Sequence, residues 1–404
     1  MKRNNNIIIN RDANEFIADG ALTNSKRPAS LIQGVYPTHI DRGYGSTLFD
    51  VDGNRYTDFI CGLGTNLFGY ANPHISQAVA RVMMSGGPVF SLGSREEVEF
   101  ARRIREIFPH LDKVRFLKTG SEGCSAAVRI ARAFTDRKLI LTEGYHGWHD
   151  EFVSVEEPAK GIPPHGDILK LDPEYIQNTF ATAAAVIVEP VITDWSDERR
   201  KWLEALREWC DQTGALLIFD ETITAYRFHG HCVTRFFNII PDLWIGGKAV
   251  GGGLPLSVIG GRKDVMEADY FVSSTWAGDR MALAAGCQAI DLLHGDFSTD
   301  TLWHFGDEFL EKFNGISKEV QIVGYPTRGI FVYKHPLFKH LFMQEMCRAG
   351  ILIGPSWFYN KFLHEEMQNV LSVAKTVVKK ILEGRVRMEG KSPVSPFAEK
   401  TREK

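Results

Sequence analysis

No apolar stretch in the 404-residue chain approaches the roughly 18 residues that a membrane-spanning helix needs. The bilayer is therefore not an expected partner. Nor is there a surplus of charge: 47 Lys and Arg stand against 50 Asp and Glu, a formal net charge of −3. So balanced a chain has no electrostatic footprint for nucleic acid. Cysteine is sparse and dispersed. The six, at 61, 124, 210, 232, 287 and 347, never fall in CxxC spacing. That argues against a zinc site or a disulfide framework and for free thiols in a cytoplasmic protein. The basic start MKRNNNIII has only Ile7–Ile9 as an apolar stretch, too short for a secretory signal. No repeat recurs at solenoid periods.

What the chain does have is material for a large core. Hydrophobic residues make up 44% and charged residues 24%, the balance of a folded globular protein and not of a disordered one. The length predicts two domains, or one large domain with a satellite. Residues 1–30 are polar and mixed and read as a loose arm. Residues 47–60 (TLFDVDGNRYTDFI) read as a hairpin turning at Asp52-Gly53. Ser94 and Glu97 form a capping box ahead of a helix whose inner face is Val98, Ala101, Ile104 and Phe108. Val114–Leu117 follows as a short buried strand, then a helix with Ala127, Ile130, Ala131 and Phe134 on one side. Leu139–Thr142, Ala184–Val188, Ala215–Phe219, Leu243–Ile245 and Ser257–Ile259 are further short apolar runs. A helix over 197–213 stops at Gly214. Apolar runs between helices predict an α/β fold with a mostly parallel sheet covered by helices. The pattern changes after about residue 290. The expected organisation is an N-terminal segment with the hairpin (1–60), a large domain (61–290), a smaller α+β domain (291–384) with a terminal helix at 363–383, and a frayed charged tail (385–404).

Four places on this scaffold carry chemistry. Lys118-Thr119-Gly120-Ser121-Glu122-Gly123 joins a strand to a helix. A glycine turn at a helix start aims free N–H groups and the positive end of the dipole at an anion, and a phosphate is the natural guest. The Walker spacing is absent. The plain alternative is a strand-to-helix turn capped by Ser121. Tyr145-His146-Gly147-Trp148-His149 follows another strand and offers a flat ring and two imidazoles. The alternatives there are a metal pair at His146 and His149, lacking a third ligand, or a structural cluster. Asp220 and Glu221 end the apolar strand LLIF, where α/β sheets gather ligands. A carboxylate so placed holds a cation or a protonated ring nitrogen, unless it merely caps a helix. Lys248 stands between Gly246-Gly247 and Gly251-Gly252-Gly253. Glycines let the backbone approach a ligand, and a desolvated Lys is an amine nucleophile. The alternative is a solvated loop Lys, against which the apolar flanks Trp244, Ile245, Val250 and Leu254 argue. A phosphate cradle, an aromatic plate, a strand-end Asp and a glycine-framed Lys together match the phosphate, ring face, ring nitrogen and aldehyde of pyridoxal 5'-phosphate.

These strings resemble the class III aminotransferases of fold type I, in the branch that includes glutamate-1-semialdehyde aminomutase. The similarity runs from about residue 30 to 290. It is carried by Leu48-Phe49-Asp50-Val51-Asp52-Gly53-Asn54, Gly120-Ser121-Glu122, Tyr145-His146-Gly147, Val188-Glu189-Pro190, Phe219-Asp220-Glu221 and Gly247-Lys248-Ala249-Val250-Gly251-Gly252-Gly253-Leu254-Pro255, with a weaker echo at Ala349–Ser356. The resemblance implies a large cofactor domain, a smaller C-terminal domain and a homodimer. It implies that Lys248 forms the internal aldimine and shuttles the proton, and that Asp220 pairs with the pyridine nitrogen and keeps it protonated. By the same resemblance Gly120 and Ser121 hold the phosphate, Tyr145 stacks on the ring with His146 beside it, and Glu189 lies at the hydroxyl side. Thr222 stands where most relatives have a Val on the ring face. Thr275 fits the place of a Thr that reaches the phosphate of the neighbouring subunit, which makes the active site shared.

The departures from the family fall on the substrate side. Leu63 replaces an aromatic in the Cys61–Gly64 loop, Asp279-Arg280 replaces the usual Asn-Pro, and Arg27 is displaced by one from a carboxylate-binding Arg. Thr222, Asp279 and Arg280 suit a hydroxylated or sugar-like carbonyl substrate, with Arg280 as a carboxylate or phosphate anchor, or equally stand as rim residues. The implied activity is transfer of an amino group between an amino donor and a carbonyl acceptor in a ping-pong cycle. An intramolecular aminomutase using the same residues is the alternative, and a cofactor-binding protein without catalysis is a third.

Overall fold

The computed structural model of the chain describes residues 3–153, 161–162, 166–171 and 182–393. The chain divides into one unit made of 64–68 and 73–303, and another made of 1–63, 69–72 and 304–404.

The first unit is built on a seven-stranded sheet. Its strands lie in the order Lys113–Leu117, Ser257–Gly261, Leu243–Gly246, Leu216–Glu221, Ala185–Val188, Ile140–Glu143 and Ile168–Lys170. Every neighbouring pair is parallel except the two made by Ser257–Gly261. The central strands are buried from end to end. Helices such as Gly120–Thr135 and Asp197–Thr213 pack against them, which is why their apolar runs are continuous and not alternating. The edge strand Lys113–Leu117 does alternate, so it is only half buried, contrary to the expectation for Val114–Leu117. Helix Arg95–Ile107 begins at the expected capping box of Ser94 and Glu97. Its inner face is Phe100, Ile104 and Ile107, while Val98 is exposed. Phe100 takes the core because it buries more apolar area than Val98 could, its ring 5.1 Å from that of Phe116.

Strand direction positions the site. Ser257–Gly261 runs against both of its neighbours, so Lys113–Leu117 points the same way as the parallel strands. The segments that follow these strands therefore emerge at one end of the sheet. They include Lys118–Gly120, Gly144–His146, Glu189, Thr222 and Gly247–Lys248.

The second unit holds a four-stranded sheet, in the order Ile40–Tyr44, Thr47–Asp50, Arg55–Asp58, Ile351–Leu352. A three-stranded sheet is made of Val320–Tyr325, Arg328–Tyr333 and Ser356–Phe358. The expected hairpin pairs Thr47–Asp50 with Arg55–Asp58, and Gly53 turns it with a φ of +81° that favours glycine. Residues read as a loose arm include a helix, Asn4–Phe16. Arg3 at its start makes no capping bond. Asp52 caps the helix from the hairpin turn, accepting the N–H groups of Asn5 at 2.8 Å and Asn6 at 2.9 Å. A cap from 46 positions away leaves no local signal. The terminal helix, Phe362–Leu382, stands where its periodicity puts it. Beyond it, Glu389 O accepts from His340 Nε2 at 2.7 Å and Arg387 O from Gln344 at 2.9 Å. Residues 394–404 of the expected tail lie outside the described residues.

Candidate active site

The helix Gly120–Thr135 is capped by Thr119, not Ser121. Thr119 Oγ1 accepts the Glu122 N–H at 3.2 Å, and the Glu122 carboxylate accepts the N–H groups of Lys118 at 2.7 Å and Thr119 at 3.1 Å. This leaves the first-turn N–H groups of Gly120 and Ser121 for a guest. The loop after Ile140–Glu143 closes over this helix start at Gly147. Its φ is +107°, and a Cβ there would stand 2.2 Å from Ser121 Oγ, so only glycine fits. A Cβ on Gly120 would likewise meet Thr222 Cγ2 at 2.9 Å.

Asp220 is buried at the end of its strand, 4% exposed. His146 Nδ1 lies 2.9 Å from its Oδ2, and the Cys124 thiol donates to the same oxygen at 3.2 Å. Oδ1 accepts the Thr222 N–H at 3.0 Å. Burial works against this carboxylate, but the hydrogen bond and charge of His146 outweigh it and hold its pKa below the usual carboxylate value. Burial also works against a charged imidazole. The hydrogen bond to Asp220, with the Asp220 and Glu189 charges, nevertheless raises the His146 pKa above its ordinary value. Both ring nitrogens face acceptors, since Nε2 donates to the Glu143 carbonyl at 3.1 Å. His146 therefore carries two protons and forms a buried ion pair with Asp220. His149 turns elsewhere, with Nδ1 2.7 Å from Ser125 Oγ, so the two imidazoles do not share a metal. Glu189 accepts the Tyr145 N–H at 2.8 Å, and burial together with the Asp220 charge raises its pKa. Arg199 braces the same strand ends, paired with Glu143 at 2.9 Å and bonded to the Glu189 carbonyl at 2.8 Å.

Lys248 has a φ of +46°, a left-handed conformation that a side chain with a Cβ adopts at a cost of about 1–3 kcal/mol. The surrounding glycines and the strand Leu243–Gly246 hold it there. Its side chain lines a cavity of about 380 Å³. Every residue expected at the cofactor lines the same cavity except Thr275. Thr275 is exposed in a turn outside it.

The class III aminotransferase family model matches residues 32–356. The chain belongs to that family. Solved structures agree on the fold. A transaminase with PLP bound superposes with a TM-score of 0.85 at 23% identity, covering 96% of this chain and 100% of the other. The β-phenylalanine aminotransferase from Variovorax paradoxus gives 0.82 at 25% identity, covering 96% of each chain. An omega-transaminase from Sphaerobacter thermophilus gives 0.81 at 22% identity, covering 92% of this chain and 97% of that one.

This class III aminotransferase is a pyridoxal-phosphate-dependent enzyme, and its residues fit that group. The ionised Asp220 suits a protonated ring nitrogen. The glycine-lined helix start suits a phosphate, and a cavity of about 380 Å³ admits a molecule of that size. The buried Thr222 hydroxyl sits beside Asp220 in the wall of the same cavity.

Other expectations are corrected. Arg280, expected as an anion anchor, is engaged within this chain instead of facing the cavity. It is buried, bonded through two nitrogens to Glu96 at 3.0 and 2.8 Å and through a third to the Gly87 carbonyl. Asp279 accepts from Lys118 Nζ and caps helix Arg280–Leu293 through the Met281 N–H. Neither Asp279 nor Arg280 lines the cavity. Of the strand-end pair, Glu221 is structural. It accepts four hydrogen bonds, from Val233 N, Thr234 N, Thr224 Oγ1 and Thr234 Oγ1, all at 2.7–2.8 Å. Burial raises its pKa against the pull of those donors. Glu221→Gln turns an NH₂ group against two of them. It is expected to lower unfolding stability by about 2–4 kcal/mol in urea titration, with cofactor binding retained by the folded protein.

Cys124 and Thr119 were not singled out from the sequence. Thr119 had a signal, a Thr three residues ahead of a Glu at a helix start. Cys124 had none.

Proposed function

We propose that this enzyme moves amino groups between separate donor and acceptor molecules in a ping-pong cycle, at a site shared across a homodimer. The convergence of Asp220 and Lys248 on one cavity carries the reading: an ionised carboxylate and an amine at the same strand ends. Bound there, pyridoxal phosphate supplies an aldehyde and an electron sink for the negative charge that develops on the substrate. The protein supplies the rest. The Gly120 and Ser121 N–H groups hold the phosphate and so fix where the ring lies. Asp220 keeps a proton on the ring nitrogen by its charge. Tyr145 and Thr222 line the walls beside the reacting atoms. Lys248 Nζ is the nucleophile, and it takes and returns the substrate proton.

The exposed position of Thr275 supports a shared site. So do the water-facing Met84, Phe90, Leu92, Trp148, Phe271 and Trp276 of the same unit. Apolar side chains in that number suit burial against a second copy of the chain.

The test gives the holoenzyme a panel of amino donors with no acceptor present. A ping-pong enzyme releases one equivalent of carbonyl product per active site and stops until acceptor is added. Steady isomerisation of one amino-carbonyl compound without a donor indicates an aminomutase instead. If no donor yields stoichiometric product, the ping-pong reading is wrong.

A further inference from the structure

Two donors converge on one oxygen of Asp220. Oδ2 takes both His146 Nδ1 at 2.9 Å and Cys124 Sγ–H at 3.2 Å. Oδ1 takes the Thr222 N–H at 3.0 Å. A carboxylate oxygen offers about two acceptor sites, so Oδ2 is filled and Oδ1 keeps room for one more donor. The two donors on Oδ2 are positioned separately. His146 is oriented by its bond to the Glu143 carbonyl. Cys124 is placed by the helix Gly120–Thr135, pressed onto the sheet at the preceding Gly123. A Cβ on Gly123 would stand 2.5 Å from Ser257 Oγ and 3.0 Å from Ile245. Most buried thiols behave as small apolar groups, but this one is aimed at a buried carboxylate.

We propose that Cys124 is a positioning residue for Asp220: its S–H completes Oδ2, so that Oδ1 is the oxygen presented to the cofactor's ring nitrogen and the carboxylate is kept ionised. The proposal rests on the reading of Asp220 as the ring-nitrogen partner. The titratable groups facing Asp220 come from four directions. They are His146 from the loop after Ile140–Glu143, Glu189 from the end of Ala185–Val188, Lys248 from the glycine-framed turn, and Cys124 itself, with Tyr145 beside Glu189 and Cys124. Among these, the thiol stabilises the carboxylate without adding a positive charge that would oppose a protonated ring nitrogen.

The test measures cofactor affinity of the apo-protein by absorbance across pH, in wild type, Cys124→Ala, Cys124→Ser and Asp220→Asn. Loss of the thiol donor makes the carboxylate easier to protonate. The acid-side loss of affinity is then expected to move up by about half a pH unit in Cys124→Ala and to return toward wild type in Cys124→Ser, whose O–H also donates. An unmoved acid limb in Cys124→Ala, or a Ser variant that behaves like the Ala variant, overturns the proposal. Asp220→Asn separates it from the reading beneath it, because wild-type affinity there removes Asp220 from its role whatever Cys124 does. If Cys124→Ala does not fold, the S–H stretching band of the wild-type apo-protein decides, assigned by its loss in Cys124→Ser. A band lowered by hydrogen bonding supports the proposal, and one at the frequency of an unbonded thiol overturns it.

Discussion

Lys248→Ala is expected to lower kcat by at least about 10⁴-fold in a protein that still folds and still takes up cofactor. The loss is large because one atom has two tasks. Nζ supplies the nucleophile, and it also carries the proton during transfer. Among the described residues no second amine is placed to take over: Lys118, which also lines the cavity, is held by Asp279. The fold is expected to survive because Ala keeps the Cβ at a φ of +46°, so the backbone cost of the turn is unchanged. Phosphate and ring contacts lie on other elements and are expected to retain the cofactor after dialysis. Lys248→Arg is the informative companion. It preserves the positive charge but not an amine that can lose its proton, so it is expected to be as inactive as the Ala variant. Single-turnover assays with the donor found by the product-release test check both. Activity within tenfold of wild type in either variant removes Lys248 from the reaction.

Asp220→Asn is expected to lower kcat/KM by about 10²–10³-fold, the scale of losing one preorganised charge contact at a reacting centre. The substitution conserves shape, so packing is not the cause. It removes the charge that keeps the ring nitrogen protonated, and with it the partner of the His146 imidazolium. That second effect has its own readout. With Asp220 ionised, His146 titrates above its ordinary value despite complete burial. Without that charge burial dominates, and the His146 pKa is expected to fall below the ordinary value, as it does for the half-buried His110, which burial and the Arg235 charge lower to about 4. Imidazole resonances followed by NMR across pH in the apo-protein check this. An unmoved His146 in Asp220→Asn contradicts the buried ion pair.

The residues legible in the sequence share one property: their signals are local. Gly147 is demanded by its positive φ and by Ser121 pressed against it, and Gly120 by the Thr222 side chain that a Cβ would meet. Lys248 lies in a glycine-framed turn, and Asp220 at the end of an uninterrupted apolar strand. Each shows in a few consecutive letters, as do the strands themselves, because full burial on both faces imposes unbroken apolar runs. Where burial is one-sided, letters misled. Val98 is exposed and Lys113–Leu117 alternates, since which apolar side chains reach the core depends on what lies opposite.

By itself, then, the sequence determined the α/β sheet, the family and the cofactor. Tertiary structure alone decided how polar groups are paired. Cys124 and His146 reach Asp220 from 96 and 74 positions away, Arg280 reaches Glu96 from 184, and Glu221 finds Thr234 at 13. Such pairings follow from strand order and from a helix pressed onto the sheet, neither of which leaves a mark near the residues concerned. Hydrogen bonding is short-ranged in space and indifferent to separation along the chain. Whether a carboxylate here grips a cofactor or seals the core, and whether an arginine binds substrate or braces a helix, is therefore settled only once the chain has folded.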